Sequence, residues 1–346
     1  MLRWTVLAGG SRTAKLRRRG PMMDLQEDQP PEIRTLDGKG GGTLMPWDKA
    51  VCETLPDSLF WLHLDWDTPL AHQLLVETFG IDPVVAEALV EEDTRPRSLA
   101  AGRDEVVILR GVNLTPGAEP EDMISLRMVI NEQRVITLTR RELRSISDLK
   151  HAIDHGHGPA TMGEFMCMLI EKLVDRVSPV LAQLEEAIDE EEDDLVEGKV
   201  SHVEATLVGV RGRIVKLRRF LAPQREALLR LSQEKLTWVS AEEHARLSET
   251  ANQLTRYVED LDEFRERAQV IQEEIGLHYN RRLSRSTFII TLAASVLVPL
   301  NLITGLFGMN VGGIPGKDSP YAFWVIAALF IAFGALIYFW GRRRID

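Results

Sequence analysis

Two uncharged apolar runs near the C-terminus set the terms on which this chain can fold. The first lies in Ser286–Asn310, STFIITLAASVLVPLNLITGLFGMN, with twenty residues from Phe288 to Phe307. Twenty helical residues at about 1.5 Å each cross the roughly 30 Å of a bilayer's hydrocarbon. The second run, Tyr321–Trp340, is also twenty residues long. Only Val311–Pro320 separates them. The chain is therefore expected to end in a membrane hairpin, which the preceding residues must serve.

Basic residues orient the hairpin. Arg281, Arg282 and Arg285 precede the first run, Arg342, Arg343 and Arg344 follow the second, and the loop holds Lys317. The positive-inside rule puts both termini in the cytoplasm and the loop outside. A formal net charge of −11 argues against nucleic acid as a partner. Cys52 and Cys167 are isolated, which excludes a disulfide framework and suits a reducing compartment. The first twenty residues are basic, and their apolar stretch Trp4–Ala8 is too short for a signal-peptide core. They read as a disordered leader, or as an over-long start before Met22 or Met23.

Residues 1–50 are expected to hold little regular structure, because 24–50 are rich in Pro, Gly and Asp. Residues 51–158 read as a mixed α/β (α+β) domain. Strand patterns fall at Ser58–Leu64, Val106–Leu114, Met123–Ile130 and Arg134–Thr139, with a tight turn at Asn131–Gln133. Helical patterns fall at Pro69–Phe79, Pro83–Glu92 and Ser145–Asp154. Residues 159–285 read as a helical bundle and stalk. Val203, Leu207, Val210, Ile214, Leu217 and Leu221 alternate steps of four and three, while Leu247, Leu254, Leu261, Ala268 and Ile275 recur every seven. Gly198 and Pro223 mark expected ends or kinks. Nothing after Ser240 stops a helix, so one is expected from Ala241 to Phe307, about 100 Å long. So long a seam calls for partner chains.

Within the first run the polar residues form a stripe. Ser284, Thr287, Thr291, Ser295 (or Ala294), Val298, Asn301 and Gly305 follow steps of three and four, and Ile289, Ile290, Leu292, Val296, Leu297, Leu300, Leu302 and Leu306 take the remaining face. The second run has no such stripe. One striped helix cannot enclose a pore, but several copies around an axis can, with the second run outside against lipid. The alternative is a dry packing seam of small polar residues. The stripe leads to Asn310, whose ring of side-chain carbonyls would accept from the hydration shell of a divalent cation, at the negative ends of the helix dipoles. His278 lies just below the membrane as a candidate protonatable group or metal ligand at the pore mouth.

Two other clusters carry chemistry. Glu185–Glu197 holds nine carboxylates, among them Glu190, Glu191, Glu192, Asp193 and Asp194. They read as a solvated tip between helices, or as a surface that gathers cations; EF-hand spacing is absent. His151 and His155 stand four apart with His157 beyond, a spacing zinc ligands use.

Gly308-Met309-Asn310 ends the first of two C-terminal runs, after Pro299 and Gly305 and a basic-flanked long helix. In that position the tripeptide resembles the CorA-type divalent cation transporters. The resemblance covers 160–346 and extends to the strand-bearing region. It implies a CorA-like homopentamer in a bacterial-type inner (plasma) membrane, with a cytosolic funnel domain, a helical stalk, a pore-lining first span (286–310), an external loop (311–320), a second span (321–341) and a cytosolic basic tail (342–346). It further implies that Gly308, Met309 and Asn310 are the selectivity motif, Asn310 meeting the metal through its hydration shell, and that no cofactor is needed. The loop, Val311-Gly312-Gly313-Ile314-Pro315-Gly316-Lys317-Asp318, lacks the acidic residue that magnesium-transporting members carry after the motif. Its glycine-rich string looks like the ZntB zinc-transporter branch, although that branch often varies the Met. Asn301 also stands where the magnesium branch has Thr. Zinc uptake, possible with proton coupling in that branch, is the implied function; Mg²⁺, Co²⁺ or Ni²⁺ is the alternative. The first run itself holds no proton carrier. From another class, a membrane-anchored coiled-coil scaffold predicts a dry stripe. No phosphate loop, nucleophile elbow or metalloprotease motif supports an enzyme.

Overall fold

The computed structural model describes residues 31–47, 59–309, 312, 316 and 319–342. The leader to residue 30, most of the loop and the tail from 343 lie outside the described residues. The chain divides into two compact units, one of residues 1–180 with Lys216–Val258, the other of Leu181–Val215 with Glu259–Asp346.

The first unit is built on a seven-stranded sheet of β1 (Glu32–Leu36), β2 (Gly42–Met45), β3 (Phe60–Leu64), β4 (Arg97–Ala101), β5 (Asp104–Gly111), β6 (Ile124–Ile130) and β7 (Arg134–Leu138). Their order is β2-β1-β3-β7-β6-β5-β4. Only the β3–β7 pair is parallel. Side chains alternate faces along each strand. Phe60, Leu62 and Leu64 of β3 enter a core with Val106, Ile108, Val129, Ile136 and Leu138, covered by Ala71, Leu74, Leu75, Ala86 and Leu89. Those last five come from α1 (Pro69–Gln73), its π-helical extension Leu74–Thr78, and α2 (Pro83–Val90). Trp61 faces the other way and meets Phe165 edge-on at 5.1 Å. That second face is covered by α3 (Arg144–Asp154) and α4 (Met162–Asp175). The expected turn between β6 and β7 closes on Asn131, whose Oδ1 accepts from the N–H groups of Gln133 and Arg134 at 2.9 and 3.0 Å.

Three expectations need correction. The first is the reading of 24–50 as unstructured, because β1 and β2 form a hairpin on the sheet. Its glycines make the turn: Asp37 Oδ1 accepts from the N–H groups of Lys39 and Gly41 at 2.7 and 2.8 Å, and Gly40 has φ +96°. A Cβ on Gly40 would stand 2.9 Å from two carbonyl oxygens. The second is the boundary at 158/159. Helix α4 belongs to the sheet's unit, as does Lys216–Val258 of the expected stalk. There Arg246 grips Glu171 of α4 through two hydrogen bonds of 2.9 and 2.7 Å. The third concerns Pro223, expected as an end or a kink: no end falls there, and its helix runs on to Gln233 with the proline inside it.

The remaining helices are α5 (Ser178–Val196), α6 (Val200–Gln233), α7 (Ala241–Phe307) and α8 (Ala322–Arg342). Gly198, at φ +82°, turns α5 into α6. The α6 seam from Val203 to Leu221 is buried, and so are Leu247, Leu254, Leu261, Ala268 and Ile275 of α7. The predicted span of α7 matches the observed helix.

Candidate cation conduit

Helix α7 continues unbroken from the charged half of the chain into the apolar run. At about 100° per residue, Ser284, Thr287, Thr291, Ser295, Val298, Asn301 and Gly305 fall within an arc of about 120°. All seven are exposed in the single chain. So are the apolar residues around them: Ile290 is 69% exposed and Leu297 58%. Such a surface is stable only against lipid or another chain. Leu302, counted on the apolar face, also falls within the arc.

Hydrogen bonding decides what the stripe offers. Thr291 Oγ1 donates to the carbonyl of Thr287 and Ser295 Oγ to that of Thr291, both at 2.8 Å. Their protons are engaged on the helix's own backbone, which leaves oxygen lone pairs facing outward. Lone pairs accept from the O–H groups of a hydrated metal ion. Pro299 lies inside the helix and has no N–H for the carbonyl of Ser295 four residues back, so a further neutral oxygen is released beside the stripe. Val298 and Leu302 interrupt this polar arc with apolar side chains, which in a ring of copies would make a girdle of the kind that gates by dewetting.

At its C-terminal end the helix closes on Gly308, whose N–H donates to the carbonyl of Thr304 at 2.9 Å. A Cβ there would stand 3.0 Å from that same oxygen, which favours glycine. Met309 is 49% exposed. Asn310 lies outside the described residues. His278, the candidate protonatable group or metal ligand, lies about 600° of helical rotation from Ser284, on the side of α7 away from the stripe. Asn280 was missed; it falls within the same arc, one turn below Ser284 and seven residues before Thr287. Helix α8 carries exposed Phe323, Trp324, Leu329, Ile331 and Leu336 and no polar stripe.

The acidic run lies, as expected, at the tip where α5 turns into α6, with ion pairs of its own. It forms the end of α5, where Glu192 and Asp189 both bind Arg267 of α7, at 2.8 and 2.5 Å. Asp194 holds Lys199 at 2.7 Å, and Glu191 is buried. Only Glu190 and Asp193 of the five named acids are fully exposed. Arg267 and Lys199 are thus paired within this run of nine carboxylates. The rings of His151 and His155 lie 4.0 Å apart, yet no three metal-ligating side chains converge among the described residues.

Residues 56–343 match the family profile of the CorA-like Mg²⁺ transporter proteins. The chain is 38% identical to the divalent cation transporter CmaX of Pseudomonas aeruginosa over 314 residues, 90% of this chain and 94% of that one. It is 33% identical to the zinc transport protein ZntB of Pectobacterium atrosepticum over 320 residues, 92% of this chain and 97% of that one. The solved structure of full-length CmaX superposes with a TM-score of 0.75 at 36% identity, covering 92% of this chain and 99% of that one. The exposed membrane-length helix and the funnel-type sheet domain accord with these likenesses, and the chain belongs to the CorA-like family of divalent cation transporters.

Proposed function

We propose that this chain carries zinc into the cell as a homopentamer of the inner membrane, both termini cytoplasmic. Five copies of α7 surround the axis with Ser284, Thr287, Thr291, Ser295, Val298, Asn301 and Gly305 inward. Gly308-Met309-Asn310 forms the outer ring, and α8 stands against lipid. The observation that carries this reading is the polar arc of α7, with hydroxyl protons turned to the backbone and lone pairs turned out. An uncharged, oxygen-lined path suits a divalent ion that keeps its water. Inward movement of two charges also follows the membrane potential, by about 4–5 kcal/mol per 100 mV. Zinc is supported by the glycine-rich loop and by the likeness to ZntB. The match to the CorA-like Mg²⁺ transporter family supports a second reading, in which the same path carries Mg²⁺, Co²⁺ or Ni²⁺. Flux of each metal into proteoliposomes, at several pH values, tests the choice. Zinc uptake above the others supports the proposal; robust magnesium flux with no zinc flux overturns it.

A further inference from the structure

A cleft of ≈ 420 Å³ opens in the first unit, lined from β5, the segment entering β6, the segment leaving β7, and α6. Five cationic side chains line it (Arg110, Arg140, Arg141, Lys216 and Arg219) against three carboxylates, Glu92, Glu121 and Asp122. Arg110 donates to the carbonyls of Met123 and Thr94, at 3.3 and 2.7 Å. Arg127, fully buried behind Trp66, donates to the carbonyls of Leu89 and Glu91 and to Ser125 Oγ. Among the described residues no carboxylate bonds either guanidinium. Burial, then the charge of Arg110, pushes Arg127 down to about 10.

At the rim, carboxylates meet Arg140 (Asp67, 2.9 Å), Lys216 (Asp122, 3.2 Å) and Arg219 (Asp93, 3.9 Å); deeper in, aromatic rings hold Arg110 and Arg127. Trp66 has Arg127 at 3.9 Å and Arg140 at 5.7 Å from its ring centre, and Phe220 has Arg110 at 4.7 Å and Arg219 at 5.4 Å. Stacking on a ring leaves a guanidinium's in-plane N–H groups available; Arg110 and Arg127 spend most of theirs on backbone carbonyls. Two lining residues also hold buried donors with no acceptor among the described residues: Nε1 of Trp66, which is 7% exposed, and Nε of Arg110. Unpaired buried donors on a cavity wall call for a bound acceptor. A metal ion would meet repulsion here. A tetrahedral oxyanion would relieve the crowding of Arg110 and Arg127 and match the guanidinium fork. The volume exceeds that of a bare anion and falls among small-molecule pockets of about 300–1,000 Å³.

We propose that this cleft binds a phosphate group, free or carried on a small phosphorylated molecule such as a nucleotide. The site stands apart from α7 and does not depend on which metal is carried.

Isothermal titration of the purified full-length protein in detergent tests it, with inorganic phosphate, pyrophosphate and ADP as probes and adenosine as the uncharged control. Saturable binding of at least one phosphate probe, at one site per chain, is expected. Exposed Arg141 and Arg219 can be changed without opening the core, so the Arg141→Gln/Arg219→Gln double variant should keep its melting temperature. It should bind about 10-fold more weakly or worse, as for lost charged hydrogen bonds. Trp66→Phe, which removes one donor and keeps a ring, should weaken binding by about 3-fold or more. Phosphate tighter than ADP would support a free-ion site, and ADP tighter than phosphate a nucleotide site. Failure of every phosphate probe to saturate would overturn the assignment. So would wild-type affinity in the double variant, or adenosine binding as tightly as ADP.

Discussion

At the scale of single residues, two side chains give separable tests. Asn301 lies in the polar arc where the apolar girdle interrupts it, so Asn301→Leu should extend that girdle and lower metal flux by about 10-fold or more, with assembly intact. Flux unchanged in a correctly assembled protein would remove Asn301 from the conduit. Glu105 tests the sheet domain. It is 3% exposed, and its Oε2 has no hydrogen-bond partner. Burial, and then the charge of Glu234, raises its carboxyl to about 7, against the pull of Arg230. A folded-state value above the unfolded one means that the native state binds more protons between about 4.5 and 7. Stability from this group is complete below that window and is lost as pH rises through 7. Glu105→Gln should therefore stabilise the protein by about 2 kcal/mol at pH 8 and do little at pH 4, read as melting temperatures at the two values. Equal effects at both would show that charge is not the cause.

At the scale of elements, long periodic helices were legible and short glycine-bounded strands were not. The seven-residue recurrence of Leu247, Leu254 and Leu261 located α7, because nothing in its sequence offers a stop. The β1–β2 hairpin escaped because its strands are four and five residues long and its turn glycines read as disorder. Strand β4, RSLAA, escaped because only Ser98 of its five residues is buried and no alternation shows. In the conduit, spacing revealed the arc but not the hydrogen bonds that turn its lone pairs outward. The acidic run was legible as the tip where two helices turn, but its ion pair was not, because Arg267 lies 75 residues from Glu192 in sequence. The packing of α4 on the sheet, invisible in either segment alone, is also testable. Phe165 is fully buried against Trp61, so Phe165→Ala should destabilise the sheet domain by about 3–5 kcal/mol in denaturant titration. A loss below about 1 kcal/mol would mean that the two do not form one core.

At the scale of the whole molecule, neither C-terminal helix can rest in water, and the polar arc of α7 cannot rest in lipid. Both demands are met when copies of α7 face one another and α8 faces outward. Native mass spectrometry from detergent should accordingly give five chains; a single chain as the dominant species would leave the arc without a partner. The central claim is that this arc lines a water-filled path. Single cysteines at Thr291, Ser295, Leu297 and Leu300, in a Cys52→Ser background that keeps the buried Cys167, test it by block of metal flux with a membrane-impermeant thiol reagent. Block at 291 and 295 with none at 297 and 300 is the predicted result. Block at 297 and 300 with none at 291 and 295 would contradict it.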